Sequence, residues 1–197
     1  ISSDTSRIAV ILPQADRSVA LAPSFDSGGS PSAAVIGELT GDGINDLAVA
    51  DQQENVVIIY TGLGDGSFDL GTGRGAGGLA VPVGDSPVYV GIGDLDNDKD
   101  LDLYTADKDG GSTTVLRNRA RGGAAAFDTQ TVDVGDGTVF VGIGDLDNDK
   151  DLDLVTADRE SDTVTTVKQG SDGTFEADET FPSDEEPVYV AISDVNS

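Results

Sequence analysis

The sequence predicts an all-β chain: a β-propeller of four-stranded antiparallel blades, each about 50 residues long, with an acid-rich loop between the first and second strands of every blade. Three observations predict it. Residues 90–107 recur at 141–158 with 17 of 18 positions identical, Tyr104 against Val155 being the exception. Glycine is abundant, at 26 residues, and separates short β-branched runs such as Val56-Val57-Ile58-Ile59 and Thr163-Val164-Thr165-Thr166-Val167. No long amphipathic helical pattern interrupts them.

The offset between the two copies is 145 − 94 = 51 residues. A looser copy, Glu38-Leu39-Thr40-Gly41-Asp42-Gly43-Ile44-Asn45-Asp46, lies 56 residues before Asp94, and Asp194-Val195-Asn196 begins another 49 residues after Asp145. In each copy a first strand (Val88–Gly93, Val139–Gly144, Val188–Ser193) leads into the acidic loop and a second strand leaves it (Leu47–Ala50, Leu101–Ala106, Leu152–Ala157). A third strand is expected at about 55–61, 112–117 and 163–168. A fourth is expected near 67–70, 125–134 and 174–181, behind Gly-rich turns such as Gly64-Asp65-Gly66 and Ser171-Asp172-Gly173. Arg7–Leu12 and Arg17–Phe25 fit only the later half of a blade. The predicted division is therefore a half blade at 1–32, blades at 33–87, 88–137 and 138–187, and the first strand of a further blade at 188–197. Tyr89, Phe140 and Tyr189 share one position, five residues before the first loop acid, and read as core aromatics between neighbouring blades.

The loop Asp94-Leu95-Asp96-Asn97-Asp98-Lys99-Asp100-Leu101-Asp102 is repeated letter for letter as Asp145 to Asp153. Five carboxylates in nine residues repel one another and oppose compact folding unless a cation sits among them. Calcium takes six to eight oxygen ligands, and acids at positions 1, 3 and 5 of a curled loop surround one point. Asp94, Asp96 and Asp98 fit that pattern, as do Asp145, Asp147 and Asp149. An EF-hand is the competing motif, but its twelfth position is a bidentate Glu, and here that place falls on Thr105 and Thr156 before strand-like sequence.

The formal net charge is −26, from 37 acids and 11 bases. The loops and Asp194 hold 14 acids and two lysines, or −12, so about 6 charges cancelled by three Ca²⁺ leave most of the acidity unexplained. A surface adapted to strong salt, as in halophiles, accounts for the rest, with an ordinary acidic secreted protein as the alternative. Such a field disfavours nucleic acid and anionic membrane, which require clustered Lys and Arg. The one basic cluster, Arg117-Asn118-Arg119-Ala120-Arg121, reads as a solvated loop tip, with a docking site for an acidic partner as the minor reading. No cysteine is present, and no apolar run approaches the roughly 20 residues that span a bilayer. The chain begins at Ile1 and contains no Met, which suggests a processed product or a segment.

The pattern D-x-D-x-D-x-x-x-D between the first two strands of such a repeat resembles the FG-GAP/VCBS repeats of integrin-alpha-type propellers. The resemblance implies Ca²⁺ ligands from the side chains of Asp94, Asp96, Asp98 and Asp102 and the carbonyl of Asp100. The second site is Asp145, Asp147, Asp149, Asp153 and the carbonyl of Asp151, and the first is Glu38, Thr40, Asp42, Asp46 and the carbonyl of Ile44. About three Ca²⁺ sites are thus expected, the Thr40 loop weaker for its missing carboxylate and Asp194 with Asn196 only a weak half-site. Family loops usually carry Gly at position 6, as Gly43 does; Lys99 and Lys150 stand there instead, at a backbone cost. The implied function is a non-catalytic, calcium-stabilised propeller of an extracellular or cell-surface protein, binding a protein or glycan ligand in adhesion or surface assembly. Two alternatives remain open: the propeller of a secreted polysaccharide-active enzyme, or a subunit that assembles by strand exchange between chain ends. The chain has no His, Cys or Trp, which removes most hydrolytic constellations.

Overall fold

The structure is a computed structural model that describes residues 7–13, 19–21, 24–27, 29–70 and 78–193. Among these residues it is all-β, without helix. Three four-stranded antiparallel sheets follow one another along the chain, each with its strands in sequence order. The first contains β5 (Pro31–Gly37), β6 (Asp46–Asp51), β7 (Val56–Tyr60) and β8 (Leu79–Pro82). The second contains β9 (Pro87–Gly93), β10 (Asp102–Asp107), β11 (Ser112–Asn118) and β12 (Phe127–Asp133), and the third β13 (Thr138–Gly144), β14 (Asp153–Asp158), β15 (Thr163–Gln169) and β16 (Phe175–Pro182). Ahead of them, β1 (Arg7–Ile8) pairs with β4 (Phe25–Asp26) and β2 (Ile11–Pro13) with β3 (Val19–Leu21), two nested antiparallel ladders of one hairpin.

Two expected strands differ. The fourth strand of the first sheet is β8, not 67–70. There the chain makes only the isolated bridge Gly62↔Phe68, because Leu63 N donating to Ser67 O at 3.0 Å and Asp65 accepting from the Ser67 amide at 2.9 Å fold 63–67 into a tight turn. Val188–Ser193 forms no ladder. In the complete sheets the first strand is paired by the second, and no second strand accompanies 188–193 among the described residues.

Side-chain alternation divides each middle strand between two neighbours. Leu47 and Val49 of β6 pack with Ile8 and Phe25 of the leading hairpin, whereas Ala48 and Ala50 join Val90, Leu103 and Leu116 of the second sheet. Tyr104 and Ala106 of β10 then join Val141, Leu154, Val167 and Phe175 of the third. Sheets thus pack face to face in chain order, which is why β6 and β10, each between two neighbours, are buried at every position; β14 is buried at every position as well. The first strands interlock as well: a Cβ added at Gly37, Gly93 or Gly144 would lie 2.3, 2.7 or 2.7 Å from a side-chain carbon of Ile92, Ile143 or Ile192 of the following unit. The rings of Tyr89 and Phe140, 4.7 Å apart, and of Phe140 and Tyr189, 4.4 Å apart, do meet between units, but they are not the core aromatics expected: Tyr89 and Phe140 are half-buried and Tyr189 is exposed.

Candidate metal centre

The ladders close on the loops at one register. Gly37 faces Asp46, Gly93 faces Asp102 and Gly144 faces Asp153, so loop positions 1–8 form the connection and position 9 opens the second strand. That placement gives the ninth aspartate a bracing task. Asp102 accepts from the Leu95 amide at 2.7 Å with Oδ2 and from the Asn118 amide at 2.8 Å with Oδ1. Asp46 does the same with Leu39 and Gly62, both at 2.8 Å, and Asp153 with Leu146 at 2.8 Å and Gln169 at 3.0 Å. All three are buried, so each ties its loop's second residue to the end of the third strand.

The turn within each loop is built by the other acids. Amides of Ile44, Asp100 and Asp151 at position 7 donate to Asp42, Asp98 and Asp149 at position 5, at 2.7, 2.9 and 2.9 Å. At position 1, Glu38 Oε1 accepts from the amides of Thr40, Gly41 and Asp42 at 3.1, 2.5 and 3.2 Å. Asp94 accepts from Lys99, and Asp145 from Asn148 and Lys150. Position 6 does adopt the left-handed conformation, with φ of 83° at Gly43, 78° at Lys99 and 83° at Lys150. A lysine there costs energy that glycine does not. Lys99→Gly and Lys150→Gly are each expected to stabilise the fold by about 1 kcal/mol, a rise of about 2–4 °C in melting temperature by calorimetry.

Carboxylate oxygens of Asp94, Asp96 and Asp102 lie within 4.8 Å of one another, as do those of Asp145, Asp147 and Asp149. Asp98 and Asp153 stand outside these trios. The loop 38–46 gathers no three acids among the described residues; Thr40 occupies its third position. Asp194 and Asn196 lie outside the described residues. The donor set fits a hard cation on an independent observation. Thr40 Oγ1, Asp94 Oδ1 and Asp96 Oδ1 are buried without a hydrogen-bond partner, a costly state that an ion relieves. They stand at positions 1 and 3. The two identical loops differ in cover: Leu95 is fully buried and Gln169 Nε2 of the next sheet donates to its carbonyl at 2.9 Å, whereas Asp145, Asp147 and Asp149 are exposed. The loop 38–46 is likewise covered, by Asn118 Nδ2 on Leu39 O at 3.2 Å and the Gly123 amide on Thr40 O at 3.1 Å.

Burial pushes the Asp102 carboxyl from the ordinary 3.8 up to about 6, outweighing its two amide donors, with the charges of Asp96 and Asp98 adding to the rise. The fold holds this proton more tightly than the unfolded chain, so in chelator its contribution to stability is present at low pH and falls as pH rises from about 4 to 6. A cation binds only the ionised form. Divalent-ion affinity of this loop is therefore expected to drop as pH falls below about 6, measurable by titration calorimetry at several pH values.

The basic cluster is not simply a solvated tip. Arg117 lies in β11 with its guanidinium 5.3 Å from the Phe175 ring centre, and Arg119 reaches the acids of the loop 94–102; Arg121 is exposed. The brace amides of Asn118 and Gln169 and the contact of Arg119 are not legible in the sequence, because each joins the end of a third strand to the loop of its own unit through the sheet register, while the Asn118 and Gln169 side chains reach the loop of the preceding unit.

The fold and these loops define a class, repetitive antiparallel β proteins with an acidic loop between the first two strands of each unit. The sequence model of the FG-GAP-like repeat matches residues 38–105 and 94–156, and the chain belongs to that family. Comparison with curated protein sequences gives no match. Among solved structures, a functionally unknown protein from Desulfotomaculum acetoxidans is similar with a TM-score of 0.62 at 12% identity, over 95% of this chain and 56% of that one. The likeness is one of fold, and the chain spans little more than half of that protein's length. A putative 6-phosphogluconolactonase from Bacteroides fragilis aligns with a TM-score of 0.47 at 13% identity, over 93% of this chain and 66% of that one. Among the described residues no helix is long and apolar enough to cross a membrane.

Proposed function

We propose that this chain is a non-catalytic, calcium-binding β-propeller region of an extracellular or cell-surface protein, in which Ca²⁺ pins the turn between the first two strands of each blade. The observation that carries the metal reading is the set of buried, unpartnered oxygens on Thr40, Asp94 and Asp96. When bound, the ion supplies positive charge where the loop concentrates carboxylates. The propeller reading is supported by sheets that stack face to face in chain order with their first strands adjacent, the arrangement of blades around an axis. Asp46, Asp102 and Asp153 hold the loop to the third strand, so the ion's stabilisation reaches the whole blade.

The non-catalytic reading is supported by where the charges go. A cleft of about 600 Å³ between Lys108, Arg159, Glu160, Asp162, Glu185 and Glu186 has its cations already neutralised, Lys108 by Glu160 at 3.1 Å and Arg159 by Glu186. Adhesion, ligand binding or surface assembly then falls to blade faces and connecting loops, with a protein or glycan partner, and the acidity suits a strongly saline medium. Calorimetric titration of chelator-treated protein with Ca²⁺ is the test. Binding heat saturating at two to three equivalents is expected, and no heat overturns the reading.

A further inference from the structure

The loops 94–102 and 145–153 are identical in sequence, so any difference in their chemistry must come from what surrounds them. The surroundings do differ. Arg119 Nη1 lies 3.0 Å from Asp96 Oδ2 and 3.7 Å from Asp98 Oδ2, at loop positions 3 and 5. The guanidinium is held there by more than those acids: its Nε is 3.1 Å from Asp128 Oδ2 on β12, and Nη1 also donates to the Asn118 carbonyl at 3.3 Å. Anchoring from the neighbouring strand fixes the fork in place, where a free surface arginine would spread over many rotamers.

The other loop has no such group. Asn118 and Gln169 are equivalent, since each donates its amide to the ninth aspartate of its own loop, so the residue in the place of Arg119 is Gly170. Among the described residues the cation paired with this loop's acids is Lys168, whose Nζ sits 3.1 Å from Asp178 and 3.9 Å from Asp147.

We propose that Arg119 is an internal counter-ion of the loop 94–102, which competes with Ca²⁺ for the carboxylates of Asp96 and Asp98 and so makes two identical loops unequal. This rests on the calcium reading of both loops. Without metal, Arg119 offsets repulsion among the five acids, and this loop holds its shape. An arriving ion must either displace the guanidinium, losing its hydrogen bonds, or sit beside a like charge. Both routes weaken binding. The loop 145–153, lacking the arginine, depends on metal for the same compensation.

The test isolates each site. Asp147→Asn with Asp149→Asn leaves the loop 94–102 as the strong site, and Asp96→Asn with Asp98→Asn leaves the loop 145–153. Ca²⁺ affinity is measured by calorimetry in each background with Arg119 and with Arg119→Gln. Arg119→Gln is expected to tighten the loop 94–102 about tenfold and to leave the loop 145–153 unchanged. Arg119→Lys, which keeps the charge, is expected to stay near the parent. Melting temperature gives a readout that a merely structural arginine does not move in this way: Arg119→Gln lowers it in chelator and not in saturating Ca²⁺. Unchanged or weakened affinity at the loop 94–102, or an equal loss of melting temperature with and without Ca²⁺, overturns the proposal while leaving the calcium reading intact. Absence of binding in every background overturns both.

Discussion

Removal of divalent cations lowers the melting temperature of this protein by about 10–20 °C, and Ca²⁺ in excess restores it. The expectation follows from linkage. An ion that binds only the folded loop stabilises by about 2.7 kcal/mol per site at a hundred times its dissociation constant, so two strong loops supply about 5 kcal/mol. For a chain of this size each kcal/mol moves the transition by about 2–4 °C. Chelation also leaves five carboxylates within nine residues in each strong loop. Mg²⁺ is expected to restore less, since its octahedral, strongly hydrated shell suits a rigid loop poorly. Scanning calorimetry in EDTA, Ca²⁺ and Mg²⁺ checks this, and equal transitions in all three would remove the architectural role given to the ion.

Asp102→Ala destabilises the fold by about 2–5 kcal/mol, far more than Asp98→Ala, for which a change of about 1 kcal/mol or less is expected. The difference lies in what each carboxylate holds. Asp102 is fully buried and its two oxygens satisfy the amides of Leu95 and Asn118; truncation leaves both donors buried and unpaired. Asp98 is 40% exposed, and the Asp100 amide it accepts from lies at the exposed turn. Asp96 and Asp98 repel Asp102 in the absence of an ion, which offsets part of the loss, but the comparison belongs in chelator, where Asp98→Ala does not also remove a proposed Ca²⁺ ligand. Urea unfolding of the two variants measures it. Equal midpoints would mean that the brace contributes nothing beyond a metal ligand.

The same residue separates what could be read in advance from what could not. The D-x-D-x-D-x-x-x-D pattern marks Asp102 as part of the loop, yet nothing local distinguishes it from Asp98. Its burial arises because it opens β10, a strand covered on both faces by neighbouring sheets. Lys99 illustrates the opposite case: a turn that needs positive φ is visible from Gly43 alone, and the structure places Lys99 and Lys150 in that conformation. The fourth strand of the first sheet was misplaced because Gly64-Asp65-Gly66 closes a turn and not a full hairpin; β8 pairs with β7 only beyond it.

The sequence by itself determined the repeat, the order of strands within each unit, the position of the acidic loops and the family. These depend on alternation and turn chemistry over a few residues, which any stretch of chain displays. Tertiary structure alone decided which loop oxygens are buried and unpartnered, which aspartate braces, and that Arg119 stands over one of two identical loops. The burial is set by contacts between successive sheets, such as Asn118 with Leu39, 79 residues apart, and the brace and the Arg119 contact by pairings across one sheet, such as Asp102 with Asn118, 16 residues apart; both exist only once the strands have packed.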